Sequence, residues 1–256
     1  MGAYTRSREE IEQIRAAAQL VALTLREVGR TVRPGITTIE LDRVAESFIR
    51  DHGGRPAFKG YRGFPNSICP SVNEEVVHGI PGARELRDGD IIGVDVGVEM
   101  NGFYGDAALT LGVGSVSAEA ERLLKVTRES LMLGIAQARP GNRVGDISNA
   151  VQSHVEAQGY TVVRALVGHG IGREMHEEPA VPNFGPPGRG PRLMTGLVLA
   201  IEPMVNVGGP DVITRSDGWT VATKDGTLSA HFEHTVAVGP DGPEILSELT
   251  EHEDRG

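Results

Sequence analysis

Apolar residues return at helical spacing from the start of the chain: Ile11, Ile14, Ala18, Val21, Leu25 and Val28 share one face, and Arg33-Pro34-Gly35 ends the run. A second helical stretch carries Ile39, Leu41, Val44, Ala45, Phe48 and Ile49 and closes at Gly53-Gly54. The plan then recurs. Ser117 to Ala138 reads as a helix with Leu123, Leu124, Leu131 and Ile135 on its apolar side, and Arg139-Pro140-Gly141 ends it. Ile147, Ala150, Val151 and Val155 predict a further helix closed by Gly159. With one residue of slip, the same register lays the apolar run Ile91-Ile92-Gly93-Val94 and its Asp95 onto Val198-Leu199-Ala200-Ile201 and Glu202. The order of helix, Arg-Pro-Gly, helix, glycine, apolar strand and carboxylate predicts an internal repeat, about 7–112 and about 113–240, within a single domain spanning 1–256. Residues 243–256 are acidic and polar and are expected to form a fraying tail.

Each carboxylate strand leads towards a turn. Asn101-Gly102 predicts a two-residue hairpin in which position 97 pairs with 106 and 95 with 108. Asp95 and Asp106 then project from one sheet face as diagonal neighbours. Asp225-Gly226 is the comparable turn signal ahead of Glu233. The pattern as a whole predicts an α+β fold of two similar halves.

Asp95, Asp106, Glu202 and Glu233 are the chemical anomaly of this pattern. A carboxylate in a strand core costs several kcal/mol unless something positive compensates it. No lysine or arginine lies in any of the surrounding apolar runs. Divalent cations supply the missing charge, and carboxylates with an imidazole suit Mn, Fe, Co or Zn. Two such ions about 3.5–4 Å apart share and acidify a water, which makes hydrolysis the natural chemistry. His169 stands in the glycine-rich loop Gly168-His169-Gly170-Ile171-Gly172 and, taken alone, reads as a loop histidine satisfied by backbone. That run lacks the spacing of a nucleotide loop. His231 and His234 flank Glu233 and are expected to pack or hydrogen-bond near the site.

Composition narrows the setting. The chain has 256 residues, 39% of them hydrophobic, which suits one domain of ample core. A single cysteine, Cys69, excludes a disulfide framework and points to a reducing, cytoplasmic compartment. No apolar run is long enough for a membrane helix. A net charge of −10 argues against direct nucleic-acid binding. An acidic monomer is expected.

The ligand-type residues, together with Gly60-Tyr61-Arg62-Gly63-Phe64-Pro65, Asn73-Glu74-Glu75-Val76-Val77-His78-Gly79-Ile80-Pro81, His176-Glu177-Glu178-Pro179 and Ile201-Glu202-Pro203, resemble the methionine aminopeptidases from about Ser7 to Gly239. The nearer match is the type I, bacterial-style enzyme without an N-terminal extension, in the M24 metallopeptidases. The resemblance implies a pseudo-symmetric pita-bread fold, each half packing helices on an antiparallel sheet, and two divalent metal ions. It implies that Asp106 and Glu233 bridge both ions, that Asp95 completes one coordination sphere, and that His169 and Glu202 complete the other. His78 is then expected beside the substrate amine, His176 as a donor to the scissile carbonyl, and Glu202 also as the proton carrier. Tyr61, Phe64, Cys69, Met175 and Trp219 match the lining of the methionine pocket. Phe64, Met175 and Arg62 depart from the family's usual tyrosine, phenylalanine and histidine. The implied activity is removal of the initiator methionine from Met-peptides and nascent proteins with a small second residue, with transient proximity to ribosomes.

Two rivals stand beside this reading. A prolidase or X-Pro aminopeptidase of the same fold shares the ligands, although those enzymes carry an extra N-terminal domain. A non-catalytic pita-bread binding protein is expected to have lost ligands that this chain retains.

Overall fold

The computed structural model describes residues 4–249. Ser7 caps the first helix, α1 (Arg8–Thr31), through a capping box with Glu10, and Thr37 does the same for α2 (Thr38–Asp51) with Glu40. Both boxes sit just ahead of apolar periodic runs, so local sequence alone starts each helix. The second pair, α3 (Ala118–Ala136) and α4 (Val144–Ala157), begins at the Ser117 and Arg143 caps. Gly53 and Gly159, each just past the end of its helix, both have positive φ.

The strands of the first half are β1 (Arg55–Pro56), β2 (Ile68–Val72), β3 (Glu75–Val77), β4 (Ile91–Met100) and β5 (Phe103–Gly112). Those of the second are β6 (Thr161–Val162), β7 (Gly168–Gly170), β8 (Glu177–Val181), β9 (Val198–Ile201), β10 (Met204–Asn206), β11 (Val212–Thr214), β12 (Val221–Thr223), β13 (Ser229–His231), β14 (His234–Val238) and β15 (Pro243–Ile245). β4 lies at the centre of one sheet, with β1 and β2 along one edge and β5 along the other. A second sheet runs β15-β14-β9-β7-β8, and two smaller ones run β13-β10-β6 and β11-β12-β3. The pairings are antiparallel, and the fold is α+β.

Val21, Leu25 and Val28 of α1 and Leu41, Ala45 and Ile49 of α2 pack with Ile92, Val94, Val96 and Val98 of β4. Leu131 and Ile135 of α3 and Ile147 of α4 pack with Leu199, Ile201 and Val236 in the same way. Burial of these faces against the two sheets is the main apolar driving force of the fold.

The β4–β5 hairpin has the register that the turn predicts: Gly97 faces Asp106 and Asp95 faces Ala108. Asn101 and Gly102 both take positive φ, as a type I′ turn requires. Two other expectations need correction. Asp225-Gly226 does not close a hairpin onto the Glu202 strand; it connects β12 to β13, which lie in different sheets, and the Glu202 strand β9 pairs with β14. Residues 243–249 are not a fraying tail either. Pro243–Ile245 pairs with β14, Leu246 is fully buried, and the Ser247 hydroxyl meets His234 Nδ1 at 2.8 Å. An apolar Ile245-Leu246 pair inside a polar segment gives it a face to bury. Residues 250–256 of the expected tail lie outside the described residues.

Candidate metal centre and adjoining pocket

The two large sheets meet along β5 and the β13–β14 junction. Ala108 and Glu233 form the bridge, with Glu233 N–H donating to the Ala108 carbonyl at 2.9 Å. Thr235 and Thr110 flank it. The Thr235 hydroxyl accepts from Asp106 N–H at 3.0 Å and donates to the Asp106 carbonyl at 2.7 Å. The Thr110 hydroxyl accepts from His231 N–H at 2.9 Å and donates to the His231 carbonyl at 2.8 Å. This seam places Asp106 and Glu233, both buried, against one another.

Asp95 reaches the same point from β4, and Glu202 arrives just past the end of β9. His169 comes from β7, so it stands in a strand and not in the loop expected from its glycines. Those glycines allow close strand packing: a Cβ at Gly168 would lie 2.4 Å from the Ala200 carbonyl oxygen, and one at Gly170 2.4 Å from that of Glu178. His169 Nδ1 lies 2.9 Å from the Gly170 carbonyl oxygen and donates to it. The other nitrogen, Nε2, then carries the lone pair and lies 3.5 Å from a Glu202 carboxylate oxygen.

These groups fit divalent metal. Asp106, His169 and Glu233 each offer a ligand atom within 4.8 Å of the others'. Asp95 Oδ1, Asp106 Oδ1 and Glu233 Oε1 are buried without hydrogen-bond partners. Burial raises the Asp95 carboxyl to about 7, and burial with mutual repulsion holds Asp106, Glu202 and Glu233 well above their ordinary range. Burial depresses His169 to about 4, which keeps its imidazole neutral as a ligand must be. A cluster of acids so raised, with a neutral imidazole aimed into it, is what a cation would relieve.

One cavity opens over this cluster, and Asp95, Asp106, His169, Glu202 and Glu233 all line it. His78, His176, Tyr61, Phe64, Cys69 and Trp219 line it as well. His78 sits in the left-handed region at φ 60°, just past β3. The His176 ring lies 4.2 Å from that of His169, centre to centre, and its Nδ1 is 2.9 Å from the Tyr61 hydroxyl. Burial depresses His176 to about 3, with the neighbouring His169 and Arg62 adding to the effect. Cys69 faces Asp95 across the β2–β4 ladder, and burial beside that carboxylate raises its thiol well above the ordinary range. It is therefore an apolar wall and not a nucleophile. Trp219 meets Phe64 edge-on at 5.2 Å.

Met175 stands differently from the sequence expectation. It belongs to the same apolar cluster but is almost fully buried, seated where Gly97 leaves room beside Phe58, and it does not line the cavity. Phe58, which sequence reading passed over, does line it. Its signal was its place just ahead of the Tyr61 motif. His231 Nε2 lies 3.8 Å from Glu233 and 4.0 Å from Glu202, buried and without a hydrogen-bond partner. His234 turns away to Ser247.

The model of metallopeptidase family M24 matches residues 12–240. The chain is 58% identical to the methionine aminopeptidase of Clostridium perfringens over 242 residues, covering 94% of this chain and 97% of that one. It is 52% identical to methionine aminopeptidase 1 of Bacillus subtilis over 240 residues, covering 94% and 97%. Among solved structures, the methionine aminopeptidase of Rickettsia prowazekii superimposes with a TM-score of 0.95 at 43% identity, covering 96% of this chain and all of that one.

Proposed function

The chain belongs to metallopeptidase family M24, and we propose that it removes the N-terminal methionine from peptides and nascent proteins whose second residue is small. The observation that carries this reading is the single cavity where buried, unpartnered carboxylates, a neutral imidazole and an apolar pocket adjoin. The fold is the pita-bread arrangement, and the chain acts as one catalytic unit whose two repeated halves meet at the site.

Asp95, Asp106, His169, Glu202 and Glu233 would hold two divalent ions, and Co, Mn, Fe or Zn suits the donor set. When bound, such ions polarise the scissile carbonyl, acidify water and neutralise the buried acids. Glu202 takes a proton on a carboxylate oxygen from the attacking water and returns it to the leaving amine. The Tyr61 hydroxyl lies 2.9 Å from His176 Nδ1, and donation from it to Nδ1 would leave the His176 proton on Nε2. From there it donates to the substrate carbonyl oxygen as negative charge develops. His78 orients the first peptide bond. Phe58, Tyr61, Phe64, Cys69 and Trp219 enclose the methionine side chain, with Met175 packed behind them. No helix among the described residues is long and apolar enough to cross a membrane, and we expect a monomer working in the cytoplasm close to ribosomes.

The test is release of methionine from Met-Ala-Ser by chelator-dialysed protein titrated with Mn or Co. Release that depends on added metal is expected. Preferential cleavage of an Ala-Pro dipeptide, or no turnover at any metal concentration, would overturn the reading.

A further inference from the structure

We propose that Arg215 is a positioning residue for the methionine pocket, holding the Trp219 hairpin against the strand that leads to His78; this rests on the pocket assignment above. Arg215 opens the loop between β11 and β12, its N–H donating to the Thr220 carbonyl at 2.8 Å. Within the loop, Asp217 accepts from the N–H groups of Trp219 and Thr220, each at 2.9 Å, and from the Thr220 hydroxyl at 2.6 Å. The tip that carries Trp219 is therefore internally braced. What needs a separate support is the placement of the whole tip over the pocket.

The backbone ladder gives that support incompletely. β12 pairs with β3, but the register breaks between Val221 and Ala222, where the loop leaves the sheet. β11 on the far side is an edge strand, with Ile213 exposed. The Arg215 guanidinium spans the gap, bonding Glu74 through Nη2 and Glu75 Oε1 through Nη1 at 2.6 Å. Glu75 is itself buried and immobilised: its Oε2 accepts from Val72 N–H at 2.8 Å, and Arg84 reaches its Oε1 at 3.0 Å. A planar fork on two adjacent carboxylates, one of them fastened to the end of β2, sets direction as well as distance. The same β3 leads straight to His78, whose ring meets Trp219 edge-on at 6.5 Å. One side chain thus ties the Trp219 wall to the His78 corner of the cavity, although it touches neither the cavity nor the acidic cluster.

Trp219 is the only tryptophan in the chain, so its emission reports the position of this wall without substrate. The experiment measures acrylamide quenching and steady-state kinetics on Met-Ala-Ser and Leu-Ala-Ser for the metal-loaded wild type, Arg215→Met, Arg215→Lys and Glu74→Gln. For Arg215→Met we expect about twofold stronger quenching, KM raised about tenfold with kcat within about twofold, and a weaker preference for methionine over leucine. Arg215→Lys recovers part of each effect, since an ammonium reaches one carboxylate but cannot fork to both, and Glu74→Gln falls between wild type and Arg215→Met. Unchanged quenching in Arg215→Met overturns the proposal. So does a fall in kcat and melting temperature with KM and selectivity intact, which marks a merely structural ion pair. If the wild type releases no methionine, the functional reading fails, while the quenching arm still decides the role of Arg215.

Discussion

The Thr235 hydroxyl holds both backbone groups of Asp106, accepting from its N–H at 3.0 Å and donating to its carbonyl at 2.7 Å. Residues far apart in sequence are joined where the two halves meet, and the clamp sets the depth of a proposed metal ligand. Thr235→Val keeps the shape and leaves two buried backbone groups unsatisfied. The variant should lose about 1–3 kcal/mol of stability in chemical denaturation. Metal affinity should fall as well, whereas Thr110→Val, which clamps His231 instead, should cost similar stability with a smaller effect on affinity. Equal affinities in the two variants would remove any special role for the Asp106 clamp.

Glu233→Gln separates charge from shape in the acidic cluster. Turnover should fall by about three orders of magnitude or more, because the amide is a poor ligand. The chelated variant should melt above chelated wild type, since one repelling acid is gone. Activity near wild type would sink the site assignment, and His169→Ala provides the matching test on the imidazole.

The raised carboxyls give the metal-free protein a distinctive pH response. A carboxyl held up in the fold keeps its proton after the unfolded chain has released it. Its stabilisation is therefore complete at low pH and is lost as the pH rises, through about 7 for Asp95, with Asp106, Glu202 and Glu233 acting in the same sense. The buried neutral histidines act in the opposite sense, destabilising the fold as the pH drops below 6.5. Between about pH 6.5 and about pH 7 the carboxyls act alone. Calorimetry should show the melting temperature of chelated protein falling across this window, with saturating Mn flattening or reversing the slope. A flat profile without metal would contradict the buried-acid account.

Tyr61→Phe removes the hydroxyl that meets His176 Nδ1 at 2.9 Å and leaves the ring stack in place. The expected loss is about 3- to 30-fold in kcat with little change in KM, as fits a donor that acts on developing charge. A rise in KM alone would assign Tyr61 to binding only.

Arg6 and Glu177 form an ion pair whose side chains are only 8% and 6% exposed, joining the segment before α1 to the loop that carries Met175 and His176. Glu177 also accepts from Arg173 N–H at 2.8 Å and Glu174 N–H at 3.0 Å. Removing one partner of such a pair costs about 3–5 kcal/mol, so Arg6→Met should lower stability by that order and slow turnover through His176. Arg6→Met/Glu177→Met should recover stability but not the loop geometry, so turnover should stay low.

Local order in the chain determined much of this. Helical periodicity with Ser7 and Thr37 at the caps started α1 and α2, and the Asn101-Gly102 turn set the register that brings Asp95 beside Asp106, because a two-residue turn leaves one pairing available. The absence of lysine and arginine around the four acids made the need for a cation legible, since burial without compensation is too costly to persist. Only the tertiary structure decided what distance in sequence hides. It brought Glu233 to Ala108, set His169 in a strand whose glycines admit close neighbours, withdrew Met175 behind the wall and put Phe58 in the lining. It also drew Ile245 and Leu246 into the fold. Each of these depends on which surfaces meet after the halves pack, and neither periodicity nor turn chemistry carries that information.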